Sequence, residues 1–265
     1  MLDKPSCLRL IRSDSQALYD AAERDLRRPV PSCPGWYMAD LVMHIGGVHR
    51  AQAAIVGEKA QEPQGLRREM LSQVPGLREW FERSMDGETD LSAIPPGLLP
   101  WARESSRLVE SALRAADPKE HVWSWSGVQA VSHYLQLMPI ETAVHRWDAQ
   151  SAVGRPGPID ERLAAEGVEH TFGFMVPLRR QIRGAPPGRG ETYHFVDSGS
   201  NRSYTVRFDE DNVQILQSAK GSHVTLSGSA QDLFLFLWHR IPAASLHIEG
   251  DTSMVDRYFE LAPPL

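Results

Sequence analysis

Apolar positions in the first half of the chain recur at helical spacing. Leu8, Leu10, Ile11, Leu18 and Ala21, interleaved with charges, predict an amphipathic helix over residues 8 to 26. Leu41, Ile45, Val48, Ala51 and Ile55 advance by three or four, which predicts a second over Met38 to Val56. Between them, Pro29 to Trp36 holds three prolines and a glycine and reads as a fixed connection. Further helices are expected over Leu66 to Met85, where Pro75 and Gly76 form an interruption, and over Leu98 to Ala116, ended by Asp117-Pro118. The last spans about Val128 to Val153 and contains Pro139. That proline either bends the axis just before Glu141 or occupies the first turn of a helix that begins there.

Beyond the breaks at 154–158 and 184–190 the pattern changes to period 2. Thr192, His194 and Val196 alternate with Tyr193, Phe195 and Asp197, and similar short runs follow at Tyr204 to Phe208, Val213 to Leu216 and His223 to Leu226. Gln231 to His239 returns to helix with Ser229 as N-cap, Leu246 to Glu249 reads as a strand, and Met254 to Leu261 as a closing helix. The fold class expected is α+β: a helical bundle domain over residues 1–155, then a small α+β domain over 156–265.

Composition narrows the function. The 265 residues are 42% apolar and 23% charged, with a net charge of −6, so the chain reads as an ordinary soluble protein with no basic face for nucleic acid. Arg24 to Arg28 and Arg179 to Arg183 are short basic patches that fit solvated helix surface. No stretch approaches the roughly 18 to 20 apolar residues of a membrane span. The opening Met1-Leu2-Asp3-Lys4-Pro5 does not read as a signal peptide. A cytoplasmic location is expected, and the two cysteines, Cys7 and Cys33, fit a reducing compartment. Cys33, in a proline-rich turn, reads as a small hydrophobe rather than a nucleophile.

The candidate chemistry lies on two of the expected helices. Glu141 and His145 are four residues apart, so on a helix they stack on one face about 40° apart. His44 sits beside Leu41 and Ile45, next to the apolar stripe of its helix, and points inward. Two imidazoles and one carboxylate leave coordination positions open on a divalent ion, as a catalytic metal requires. A buried Glu–His ion pair with no metal would show the same spacing, and spacing alone leaves both readings open. Asp148, three residues after His145, can orient that imidazole from behind. His49 lies about 140° around the helix from His44 and cannot easily share its ion. His121, His133, His170, His194, His223, His239 and His247 have no partner at ligand spacing.

The motifs around these residues resemble a known family. Val30-Pro31-Ser32-Cys33-Pro34-Gly35-Trp36, followed by Ala39 to Arg50, is similar to the N-terminal signature of the mycothiol-dependent maleylpyruvate isomerases, within the DinB-like superfamily of metal-binding four-helix bundles. Glu141 to Ala149 resembles the second signature. Val224 to Gly228, Asp232 to Arg240 and His247 to Asp251 resemble the small C-terminal domain. The resemblance implies that His44, Glu141 and His145 bind a divalent metal, most often zinc, and that mycothiol is the cosubstrate. It also implies an assisting arginine in the C-terminal domain, for which Arg240 is the best position. A helix C-terminal cation is the other reading of Arg240. Leu137-Met138-Pro139-Ile140 departs from the polar or basic residues often found before the glutamate, which bears on recognition of a small dianion.

The expected activity is metal-dependent activation of mycothiol for isomerisation of, or S-transfer to, a small organic electrophile. A metal-dependent hydrolase and a non-catalytic ligand-binding protein on the same bundle are the alternatives.

Overall fold

Asp3 starts the first helix by accepting the Ser6 amide at 2.8 Å, with Pro5 in the first turn where a missing N–H costs nothing. Helix α1 therefore runs Lys4–Ala22, four residues earlier at each end than its apolar pattern predicts. The computed structural model describes residues 2–62, 68–85, 89–154 and 156–264. It divides into two compact units, Met1–Pro158 and Ile159–Leu265. No helix among the described residues is long and apolar enough to cross a membrane.

In the first unit α2 spans Met38–Gly57. Its start is fixed by Asp40, whose buried carboxylate accepts the Tyr37 amide at 2.8 Å and the hydroxyls of Ser84 and Thr89 at 2.6 and 2.9 Å. Pro75-Gly76 breaks the next helix as expected, giving α3 (Arg68–Leu71) and α4 (Leu77–Met85), with Gly76 at φ 76°. The expected start at Leu66 lies outside the described residues. Helix α5 is Leu98–Ala115 and α6 is Val131–Val153. Pro139 is interior to α6, so the helix does not begin there, and the Leu135 carbonyl has no i+4 amide to accept.

Helices α1, α2, α5 and α6 form a four-helix bundle. Both α1 and α2 pack against α5 and α6, which places α1 diagonally from α2 and α5 diagonally from α6. Ile11, Leu18, Leu41, Ile45, Ile55, Val109, Leu113, Met138 and Val144 are fully buried. Gly46 permits a close approach of α2 to α5, since a Cβ there would lie 2.6 Å from Trp101 Cζ3 and 2.9 Å from Ala102 Cβ.

The second unit opens with helix that the periodicity did not reveal: α7 (Glu161–His170), one π-helical turn at Thr171–Met175, and α8 (Val176–Arg183), closed by Gly184 at φ 59°. Strands β1 (Gly188–Asp197), β2 (Ser203–Glu210), β3 (Asn212–Leu216), β4 (Val224–Gly228) and β5 (His247–Gly250) form one sheet in the order β3-β2-β1-β4-β5. Strands β1 and β4 are parallel and the other pairs antiparallel. Ser229 caps α9 (Ala230–Leu237) by accepting the Asp232 amide, and α10 (Met254–Leu261) ends the unit. Tyr193, Phe195, Phe208, Phe236 and Tyr258 fill its core in edge-on and stacked pairs. The fold class is α+β, as the pattern predicts.

Candidate metal centre

Helix α2 supplies His44, and α6 supplies Glu141, His145 and Asp148 at positions i, i+4 and i+7. One ligand atom each from His44, Glu141 and His145 lie within 4.8 Å of one another. His145 Nε2 lies 3.5 Å from Glu141 Oε2. The two imidazoles meet edge to face at 4.8 Å between centroids. Trp36, from the turn before α2, covers both rings, tilted against His44 at 5.1 Å and stacked on His145 at 6.2 Å. His44 and Glu141 are half-buried, whereas His145 is buried.

Behind His145 lies a buried hydrogen-bonded carboxylate. Asp148 is fully buried, and its Oδ2 lies 2.9 Å from His145 Nδ1. The same oxygen accepts the Cys33 thiol at 3.4 Å, and Oδ1 accepts the Ser32 hydroxyl at 2.6 Å. An ionised carboxylate only accepts, so Nδ1 carries a proton and the ring is held with Nε2 toward Glu141. Burial alone would depress the His145 pKa, but hydrogen bonding to Asp148 and Glu141 and with Cys33 outweighs it and holds the pKa well above its ordinary value. In the ion-free protein the imidazolium thus serves two carboxylates, and a cation at Nε2 takes the place of one proton.

The donor set fits a divalent ion. Nitrogen and oxygen donors about 2.1 Å from a tetrahedral zinc are about 3.4 Å apart, close to the His145–Glu141 separation. Three ligands leave a position open. A carboxylate on the far nitrogen of a ligating histidine is the usual support for such a site.

Residues 8–150 match the family model described as the mycothiol maleylpyruvate isomerase N-terminal domain, a span of more than half the chain. The chain belongs to this family. Two crystal structures of the mycothiol-dependent maleylpyruvate isomerase, one of them a histidine-to-alanine mutant, superpose with TM-scores of 0.65 and 0.63. Each is 16% identical and covers 95% of both chains, a likeness that establishes the fold. No curated protein sequence matches the chain at a significant level.

Of the candidate site residues read from the sequence, the structure brings His44, Glu141, His145 and Asp148 together. Arg240 belongs to the second unit, in the turn after α9, where its guanidinium donates to the Trp238 carbonyl at 2.7 Å. Leu137, Met138, Pro139 and Ile140, which depart from the family pattern, are all buried. Cys33 differs from its sequence reading: it is half-buried and its thiol joins the Asp148 cluster. The proline-flanked turn gave no signal for this, because only the pairing of Pro29 with Tyr37 lays the turn across α6. His49 is fully buried and bridges Ser106 and Thr142, each at 2.9 Å, so it is a core histidine.

Proposed function

We propose that the chain is a divalent-metal enzyme that activates a low-molecular-weight thiol, mycothiol, for isomerisation of, or S-transfer to, a small organic electrophile. The observation that carries this reading is the convergence of His44, Glu141 and His145 within 4.8 Å, with His145 oriented by Asp148. A mixed nitrogen and oxygen set favours zinc. Bound there, the ion would lower the pKa of a coordinated thiol so that the thiolate nucleophile exists at neutral pH.

The protein's own groups supply orientation and exclusion of water. Asp148 Oδ2 holds the Nδ1 proton of His145, which fixes the direction of Nε2. Ser32 and Cys33 keep that carboxylate in place, and Trp36 shields both imidazoles on one side. A thiolate that adds to an activated double bond leaves a single bond free to rotate, and its elimination gives the other geometric isomer. Attack on carbon bearing a leaving group gives S-transfer instead.

We assign the metal-binding role to the helical unit, and propose Arg240 of the second unit as the assisting cation. Arg240→Ala should then lower turnover and leave metal content unchanged. The two cysteines, Cys7 and Cys33, are thiols, in keeping with a cytoplasmic enzyme. Metal analysis together with turnover of a panel of electrophiles, maleylpyruvate among them, with and without mycothiol, tests the reading. Thiol-dependent turnover supports it, and turnover indifferent to thiol identifies a hydrolase in which water takes the thiol's place.

A further inference from the structure

The two ring nitrogens of His145 face two different donor sets. Nε2 faces Glu141 and belongs to the cluster with His44. Nδ1 faces Asp148 Oδ2 at 2.9 Å and belongs to a second cluster, in which donor atoms of Cys33, His145 and Asp148 also lie within 4.8 Å of one another. We propose that Cys33, Asp148 and Nδ1 of His145 form a second cation seat, selective for thiophilic divalent ions, that overlaps the first through the shared imidazole.

The seat is built in advance. Cys33 Sγ and Asp148 Oδ2 are 3.4 Å apart. Sulfur at about 2.3 Å and oxygen at about 2.1 Å from a tetrahedral ion are about 3.6 Å apart, so the pair barely has to move. The other oxygen of Asp148 is pinned by the Ser32 hydroxyl at 2.6 Å. Cys33 is presented by a turn closed on itself: its amide donates to the Val30 carbonyl, its carbonyl accepts the Trp36 amide, both at 3.0 Å, and Pro29 pairs with Tyr37. Prolines 31 and 34 stiffen the same turn.

The chemistry of the two seats differs. The first offers two nitrogens and a carboxylate, and the second offers a thiolate, one nitrogen and a carboxylate. Thiolate ligation favours softer ions, so cadmium prefers the second seat more strongly than zinc does. Ligation displaces the proton of the Cys33 thiol to solvent and seats the ion on Nδ1, so that the neutral imidazole carries its one proton on Nε2, toward Glu141. A neutral imidazole with one proton ligates through one nitrogen only. Occupation of the second seat therefore takes His145 away from the first, and a thiophilic ion antagonises the ion held by His44 and Glu141.

The seat stands whatever reaction the first one serves, and cadmium titration of the metal-free, full-length protein tests it. The readout is the ultraviolet thiolate-to-cadmium charge-transfer band. The expected result is a band that saturates at one equivalent, disappears in Cys33→Ser and in Cys33→Ala, and persists in His44→Ala. Cys7→Ser, which lies outside both clusters, should keep the band. No band, or a band that survives both Cys33 variants, overturns the proposal. A band lost in His44→Ala also overturns it, because Cys33 would then be a ligand of the first seat. Zinc binding that survives the combined His44→Ala, Glu141→Gln and Cys33→Ser substitutions counts against the first seat alone, which keeps the two failures apart.

Discussion

His49 donates from Nε2 to Thr142 Oγ1 across 2.9 Å, and Thr142 passes its own hydroxyl proton to the Met138 carbonyl at 2.7 Å. That leaves Nδ1 to accept from the Ser106 hydroxyl at 2.9 Å, and Ser106 Oγ receives the Tyr19 hydroxyl at 2.7 Å. One buried chain of hydrogen bonds thus links α1, α5, α2 and α6. Thr142 directly follows Glu141, and His49 is five residues past His44, so this bond sets the register of the two helices that carry the candidate ligands.

Thr142→Val keeps the shape of the side chain and removes the acceptor for His49. A buried donor left without a partner costs about 1–3 kcal/mol. Denaturant unfolding should show a loss of that size, and Thr142→Ser should recover most of it. The same Val variant should weaken zinc binding, measured by competition with a chelator.

Acid should destabilise the helical unit in a defined window. Burial pushes His49 down to about 3 and His133 down to about 4, against about 6.5 for an unfolded histidine. Both are neutral when folded and charged when unfolded below pH 6.5, so their contribution is full above 6.5 and is lost as pH falls toward 4. Each contributes a slope of roughly 1.4 kcal/mol per pH unit. His145 acts in the opposite sense in the metal-free protein. Its folded pKa is raised, so its contribution is full below 6.5 and is lost as pH rises through the folded value. Metal-free protein should therefore be most stable near pH 6.5. Unfolding measured in steps between pH 6 and 4.5 should show an acid slope lower by roughly 1.4 kcal/mol per pH unit in His49→Gln.

Asp148→Asn preserves volume and replaces an acceptor-only group by an amide that can present a donor to Nδ1. The His145 ring then loses the partner that fixes its orientation. Removal of such a supporting group typically lowers metal affinity about 10- to 100-fold. Zinc titration should show that loss while far-ultraviolet circular dichroism remains that of the wild type.

Gly46→Ala places a methyl group 2.6 Å from the Trp101 ring and 2.9 Å from Ala102 Cβ. Overpacking of this kind costs about 1–3 kcal/mol. A lowered melting temperature is the expected outcome, and unchanged stability would mean that α2 and α5 are not held as closely as described.

Much of this architecture was legible in the chain, and the parts that were not share a physical cause. Helices α5 and α10 match their apolar periodicity closely because each buries one stripe, and α2 matches although it is buried on nearly every side. Helices α7 and α8 escaped notice because the π turn at Thr171–Met175 shifts the phase between them, and Gly167 and Gly173 weaken the propensity. Gly167 is there for packing, since a Cβ would meet the Phe234 ring at 2.6 Å. At the site, the spacing of Glu141, His145 and Asp148 on one helix is visible in one dimension. The contribution of Ser32, Cys33 and Trp36 is not, because it depends on a turn folding back across α6.

The central claim is that His44, Glu141 and His145 hold a divalent ion that serves a thiol. The most direct test is zinc content and affinity of the purified protein beside those of His44→Ala and His145→Ala, with mycothiol-dependent turnover followed on the same preparations. Stoichiometric zinc in the wild type, lost together with thiol-dependent turnover in both variants, is the predicted result. Protein that takes up no stoichiometric ion, or thiol-dependent turnover that survives both substitutions, would contradict it.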